Sequence, residues 1–160
     1  ANQRSVAIGM TSVAAADAGV RFVVSTGDNF YPTGVKGVTD PHFNKTFETP
    51  FASPEMREML WLISAGNHDQ WGITGQVQYS LTAAPLTETR LPRSERWYFP
   101  KPVYAMEVPV SPRRSARFVV LNSYGRNTPA TLKFLQSEME EALRGGVRGN
   151  DAARKAKLAA

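Results

Sequence analysis

The sequence predicts an α/β fold: a sheet sandwiched by helices, with incomplete edges. Helix and strand signals alternate through the first eighty residues, short hairpin-like apolar runs follow, and one amphipathic helix closes the ordered part.

Taken in order, Val6, Met10, Val13 and Ala14 recur at helical spacing, and Gly19 stands where a left-handed residue would stop the helix. Gly9 within that helix costs about 1 kcal/mol relative to Ala. Val20-Arg21-Phe22-Val23-Val24 is short, β-branched and aromatic, the pattern of a buried strand. Residues 25–40 are rich in Gly, Thr, Asn and Pro and read as loop. Asp40-Pro41 is a helix N-cap followed by proline in the first turn, opening a short helix through Phe43 and Phe47. Ser53-Pro54-Glu55 repeats the signal before Met56 to Met59. Leu60-Trp61-Leu62-Ile63 is a second strand, ending towards Gly66, and Gly75 to Leu81 a short helix.

Arg96 to Pro100, Val103 to Val108 and Arg117 to Leu121 read as three further strands between proline-containing turns. Thr128-Pro129 opens a helix with Leu132, Leu135, Met139, Ala142 and Leu143 on one face, and Gly145-Gly146 end it. Of the aromatic residues, Phe30, Trp61, Trp71, Trp97 and Tyr98 are expected in core or loop packing. Arg93, Arg96, Arg113, Arg114 and Arg117 are expected as scattered, solvated charges.

Length and composition narrow the classes. At 160 residues, 42% hydrophobic and 21% charged, the chain has ordinary globular usage and room for one domain. No apolar run nears the roughly 20 residues of a membrane span, and no basic-then-apolar start reads as a secretory signal. The absence of cysteine excludes disulfides, thiol nucleophiles and Cys-bound zinc within this sequence. Net charge is +5, of which residues 144–160 carry +4. A basic tail can bind nucleic acid, but no aromatic residues interleave with these charges, so a solvated helix end or linker is expected and no nucleic-acid partner. The division expected is a domain over residues 1–143 and a basic Ala/Arg/Lys-rich segment over 144–160.

The chemistry lies in two loops that follow strands, where α/β sheets gather reactive groups. Gly27-Asp28-Asn29-Phe30-Tyr31 follows the first strand and Gly66-Asn67-His68-Asp69 the second. Asp28 offers a carboxylate able to bridge two cations and Tyr31 a phenolate suited to a hard trivalent ion. Asn67 offers an amide oxygen, and His68 an imidazole for ligation or proton transfer.

Residues 25–35 (STGDNFYPTGV) and Ala65-Gly66-Asn67-His68-Asp69 closely resemble the purple (tartrate-resistant) acid phosphatases, within the calcineurin-like metallophosphoesterase superfamily. The resemblance continues through Asp40-Pro41-His42-Phe43, Phe47-Glu48, Gln78-Tyr79-Ser80, Arg96 to Pro100 and Phe118 to Leu121, covering most of residues 20–143. A tyrosine three residues after the aspartate distinguishes this family from the wider superfamily, and the second motif follows 39 residues later.

The resemblance implies a metallophosphoesterase-type β-sandwich flanked by helices, incomplete in this chain. It implies phosphomonoester hydrolysis by a binuclear centre, Fe(III) with divalent Fe, Zn or Mn, acting on a phosphate-ester substrate. Position by position, Asp28 matches the bridging aspartate, Tyr31 the tyrosinate on ferric iron that gives the purple colour, and Asn67 the amide ligand of the divalent ion. His68 matches the histidine beside the substrate phosphate. Asn29 and Asp69 are expected behind these residues, orienting the loops. The family also implies a secreted or endolysosomal setting, and Asn44-Lys45-Thr46 fits a glycosylation acceptor.

The sequence departs from the family in lacking four of seven ligands: an aspartate on a loop before Ala1 and three later histidines. His42 matches no ligand and is expected to pack or face solvent, and Leu121-Asn122-Ser123 replaces the usual Leu-Asp-Thr. The chain is therefore expected to be an interior fragment, inactive alone, whose N- and C-terminal segments complete the site. A non-catalytic binding or structural module on the same fold is the alternative.

Overall fold

A computed structural model describes residues 3–81, 96–111, 114–125 and 128–143. The chain divides into two compact units, Ala1–Pro100 and Lys101–Ala160. The basic segment 144–160 lies outside the described residues.

The first unit opens with α1 (Gln3–Ala16), whose buried residue is Ala7. The face expected from periodicity is only partly the buried one: Met10 and Ala14 are half-buried on the side of Ala7, whereas Val6 and Val13 remain 47% and 58% exposed. Nor is Gly19 left-handed, since Gly27 and Gly34 are the positive-φ glycines among the described residues. The helix instead ends on an Asx turn, in which Gly19 N donates to Asp17 Oδ1 (2.7 Å).

Strand β1 (Phe22–Ser25) pairs in parallel with β2 (Leu60–Ile63), and β2 pairs in parallel with β3 (Trp97–Tyr98). The α/β class is as read from the sequence. The buried character expected of β1 is only partly met. It stands at one end of this three-stranded order and leaves Val24 47% exposed, whereas all four residues of β2 are buried. Arg96 to Pro100 was expected among the hairpin-like strands but supplies a parallel partner to β2, in which Trp61 is opposite Trp97 and Leu62 opposite Tyr98.

The short helix expected through Phe43 and Phe47 is a π-helical stretch, Phe43–Glu48, with both aromatics buried. Asp40 accepts from His42 N (2.9 Å) at its start, as an Asx cap does. Ser53 caps α2 (Pro54–Arg57) by accepting from Met56 N (3.3 Å). A 3₁₀ helix, Asn67–Gly72, and α3 (Ile73–Leu81) follow β2.

The core beside the sheet is aromatic. Phe43 stacks on Tyr79 at 3.8 Å between centroids, and Phe47 meets Trp61 and Trp97 edge-on at 5.1 and 4.7 Å. Such edge-to-face and offset pairs add about 0.5–1.5 kcal/mol each beyond area burial. Phe30, Trp61, Trp97 and Tyr98 are buried as expected, but Trp71 is 85% exposed. Arg96 corrects the expectation of solvated charge. It is buried, ion-paired to Glu48 (3.0 Å), and its guanidinium lies 4.5 Å from the centroid of Phe47.

The second unit holds the antiparallel pair β4 (Tyr104–Ser111) and β5 (Arg114–Val120), with a register irregularity between Pro109 and Ser111. A 3₁₀ turn, Ser123–Gly125, leads to α4 (Pro129–Leu143). The expected apolar face of α4 is not the buried one: Leu132, Met139 and Leu143 are more than half exposed, while Glu138 is buried. The reason is electrostatic, because Arg117 Nε donates to Glu138 Oε2 (2.9 Å) and Arg117 Nη2 bonds the same oxygen. Arg117 is thus a paired, largely buried cation rather than a solvated one.

Candidate functional site

The two glycine-led loops leave the carboxyl ends of adjacent parallel strands, with Ser25 of β1 opposite Ile63 of β2. Parallel neighbours about 4.8 Å apart deliver their following loops side by side. The contact is backbone on backbone. A Cβ on Gly27 would lie 2.5 Å from Gly66 N, and one on Gly66 only 2.1 Å from Asp28 Oδ1. Further along, a Cβ on Gly34 would lie 2.9 Å from Gly72 N, so the loops touch at a second point. Gly27 has φ +110°, and Asp28 itself is left-handed at φ 54°, a conformation that Asp tolerates better than most residues.

That turn presents the Asp28 carboxylate to the opposite loop. Oδ1 accepts from His68 N (3.1 Å), and Oδ2 accepts from the Tyr31 hydroxyl (2.7 Å). The hydrogen bond from Tyr31, then that from His68 N, holds the Asp28 pKa below the ordinary carboxylate value. The same bond to Asp28 raises the Tyr31 pKa, so at neutral pH the proton resides on the phenol. The Tyr31 ring lies 4.3 Å from that of His68. His68 Nδ1 lies 2.6 Å from the Pro32 carbonyl oxygen, which can only accept, so Nδ1 carries the proton and Nε2 is left as the ring's acceptor.

Asp69 fastens the loops from beneath and is fully buried. Its carboxylate accepts from Asn29 N (3.0 Å), Phe30 N (3.2 Å), Gly66 N (2.9 Å), Asn29 Nδ2 (3.1 Å) and Gln76 Nε2 (3.0 Å). Asn29 also donates to Ser64 O (2.8 Å) and accepts from Ser25 Oγ (2.5 Å). Asp69→Asn would turn an amide NH₂ against N–H donors in either orientation. The expected result is a loss of about 3 kcal/mol, since bonds to a charged acceptor contribute about 1.5–3 kcal/mol each. Urea denaturation measures it, and a change under about 1 kcal/mol would contradict this account of Asp69.

The structure therefore brings together Asp28, Tyr31 and His68, with Asn29 and Asp69 behind them. Asn67 begins the 3₁₀ helix on the same loop and is exposed. His42 stands apart, its Nδ1 2.8 Å from Asp40 Oδ1. Gln76 and Ser25 were not anticipated. Their only sequence signal is a polar residue at a position where α3 and β1 face inward. Among the described residues, no three His, Cys, Asp or Glu side chains cluster closely enough to hold a metal ion. The donor pair Asp28–Tyr31 nevertheless suits one. Its 2.7 Å oxygen separation is close to the roughly 2.9 Å between neighbouring ligands on a hard octahedral ion with bonds of about 2.05 Å.

Polar groups gathered past the carboxyl ends of adjacent parallel strands stand where open α/β sheets bind their ligands. No family model matches the chain. It is similar to "Tartrate-resistant acid phosphatase type 5" of Homo sapiens, 39% identical over 89 residues, covering 55% of this chain and 24% of that protein. The Sus scrofa protein of the same name is 40% identical over 89 residues, 55% of this chain and 23% of the relative. "Purple acid phosphatase 4" of Arabidopsis thaliana is 39% identical over 71 residues, 44% of this chain and 20% of that protein. The chain is thus similar over about half its length to purple (tartrate-resistant) acid phosphatases, and the matches span about a quarter of the length of those curated relatives.

Proposed function

We propose that this chain forms part of a phosphomonoester hydrolase, an acid phosphatase with a binuclear metal centre on a metallophosphoesterase-type β-sandwich. The observation that supports it most is the meeting of Asp28, Tyr31 and His68 across two loops, with the phenol oxygen 2.7 Å from the carboxylate. In this reading Asp28 would be shared between two ions, Tyr31 would hold Fe(III), and Asn67 would hold divalent iron, zinc or manganese. Two such cations, when bound, would supply Lewis-acid chemistry, offsetting negative charge on the phosphate and acidifying a water.

The chain's own residues do the rest. To bind a cation as phenolate, Tyr31 would release to solvent the proton it now donates to Asp28. The Pro32 carbonyl orients His68 through Nδ1, so that Nε2, when it carries a proton, can donate to a phosphate oxygen or the leaving group. Asp69 and Asn29 hold the loops in register. Asp28 and Tyr31 bring two negative charges to a centre carrying about +5, and Asn67 brings none. A shell of three ligands does not hold two ions tightly, so the chain alone is inactive.

The test is the full-length protein loaded with iron. It should show a visible absorption band and hydrolyse a simple aryl phosphate. Tyr31→Phe should abolish the band, because the phenolate is its source. An unchanged spectrum would overturn the Tyr31 assignment, and a protein without bound metal or turnover would instead be a non-catalytic module. His68→Ala should lower turnover by about 10²-fold or more with metal content retained, and equal losses of both would make His68 a ligand.

A further inference from the structure

Trp71 is the one large aromatic of the first unit's buried-aromatic expectation that lies in solvent, at 85% exposure. It lines a groove of about 410 Å³ together with Pro32, Thr33, Lys36, Asp40 and His42. Pro32 adjoins Tyr31, and its carbonyl accepts from His68, so the groove begins one residue from the candidate metal-binding phenol. Trp71 follows His68 by three residues on the 3₁₀ helix.

The polar wall of the groove is built. Asp40, 7% exposed, accepts from Lys36 N (2.7 Å), His42 N (2.9 Å) and His42 Nδ1 (2.8 Å). Burial alone would raise the Asp40 pKa, but these three hydrogen bonds outweigh it and hold the group below its ordinary value, as a carboxylate. Its negative charge is spent on these donors. The Lys36 side chain is exposed and forms no ion pair with a carboxylate among the described residues, and His42 is oriented with Nε2 as its remaining polar atom.

We propose that this groove holds the alcohol portion of the phosphate ester, and that it favours a planar aromatic ring bearing an anionic substituent. The ring stacks on the Trp71 indole, and the substituent meets the Lys36 ammonium. This rests on the phosphatase reading and adds the residues that choose the ester. An exposed indole lining one groove with a cation that pairs with no carboxylate among the described residues can recognise an anionic aryl group through dispersion and charge together, and an aliphatic ester gains neither.

In the full-length protein, Trp71→Ala should lower the ratio of kcat/KM for phenyl phosphate to that for ethyl phosphate by about tenfold, within the range of aromatic stacking. Lys36→Met should lower the ratio for 3-carboxyphenyl phosphate over phenyl phosphate by about threefold, as an exposed ion pair allows. Unchanged ratios, or losses uniform across the esters, would overturn the subsite and leave the phosphatase reading standing. Should the wild-type protein hydrolyse none of them, the phosphatase reading fails and binding decides the subsite. The difference in acrylamide quenching between wild type and Trp71→Phe isolates the exposed indole. Protection of that signal by 3-carboxyphenylphosphonate but not by ethylphosphonate upholds the site, and absence of protection overturns it.

Discussion

Gly66→Ala should cost about 3 kcal/mol or more and separate the two loops. The added methyl would sit 2.1 Å from Asp28 Oδ1 and 2.4 Å from Asp28 N, and the second of these is backbone that no rotamer change can move. Gly66 has φ −91°, so the penalty is not conformational strain but collision. Neither loop can retreat cheaply. Moving Gly66 breaks its hydrogen bond to Asp69, and moving Asp28 breaks the bond from His68 N. Overpacking in a tight site ordinarily costs about 1–3 kcal/mol, and here the lost bonds to two carboxylates add to it. Gly9→Ala is the matched control. It lies within α1 with nothing within 4 Å of the new Cβ, and it should stabilise by about 0.5–1 kcal/mol through helix propensity. Equal denaturation midpoints for the two variants would refute the close approach of the loops.

Arg96→Met should destabilise by about 3–5 kcal/mol, the usual result of removing one partner from a buried ion pair. Arg96 Nη1 donates to Phe51 O (2.7 Å) and Met56 O (2.8 Å), and Nη2 to Glu48 Oε2 (3.0 Å). Glu48 also accepts from Tyr79 OH (2.7 Å), which ties α3 to the π-helical stretch. Methionine fills the volume but leaves two carbonyls and a carboxylate without their cation. Arg96→Lys should recover little, because one ammonium cannot reproduce a planar fork that serves three acceptors. The double variant Arg96→Met/Glu48→Gln should lose less than the sum of the two single losses. Strict additivity, measured by urea denaturation, would mean that the pair is not coupled.

The parts of the fold legible in the sequence are those that local chemistry decides. Ser53 caps α2 because its hydroxyl satisfies a donor three residues on, and the apolar run Leu60 to Ile63 is buried because its strand lies between two others. The candidate site was legible for a related reason. Turn glycines and chemically distinctive side chains keep their meaning when read in one dimension, and adjacent strands bring the two motifs together. What was not legible depends on partners far along the chain. Periodicity indicated an apolar stripe on α4, but a buried Glu138 facing Arg117 decides which side packs. It likewise suggested a face of α1 without revealing that Ala7 makes the close contact. Gln76 looked like any helix glutamine until Asp69 proved to be its acceptor, and Arg96 looked solvated until Glu48 and two carbonyls enclosed it.

The paired glycine contacts, Gly27 against Gly66 and Gly34 against Gly72, fasten the loops at both ends of the stretch that carries Asp28 and His68. Two ribbons joined this way must keep step, with six residues between the fasteners on one and five on the other. An insertion or deletion between the fasteners on one ribbon would throw the other out of step. Natural variation in size should therefore accumulate beyond them, leaving the reactive groups on a span whose residue count is held constant by geometry.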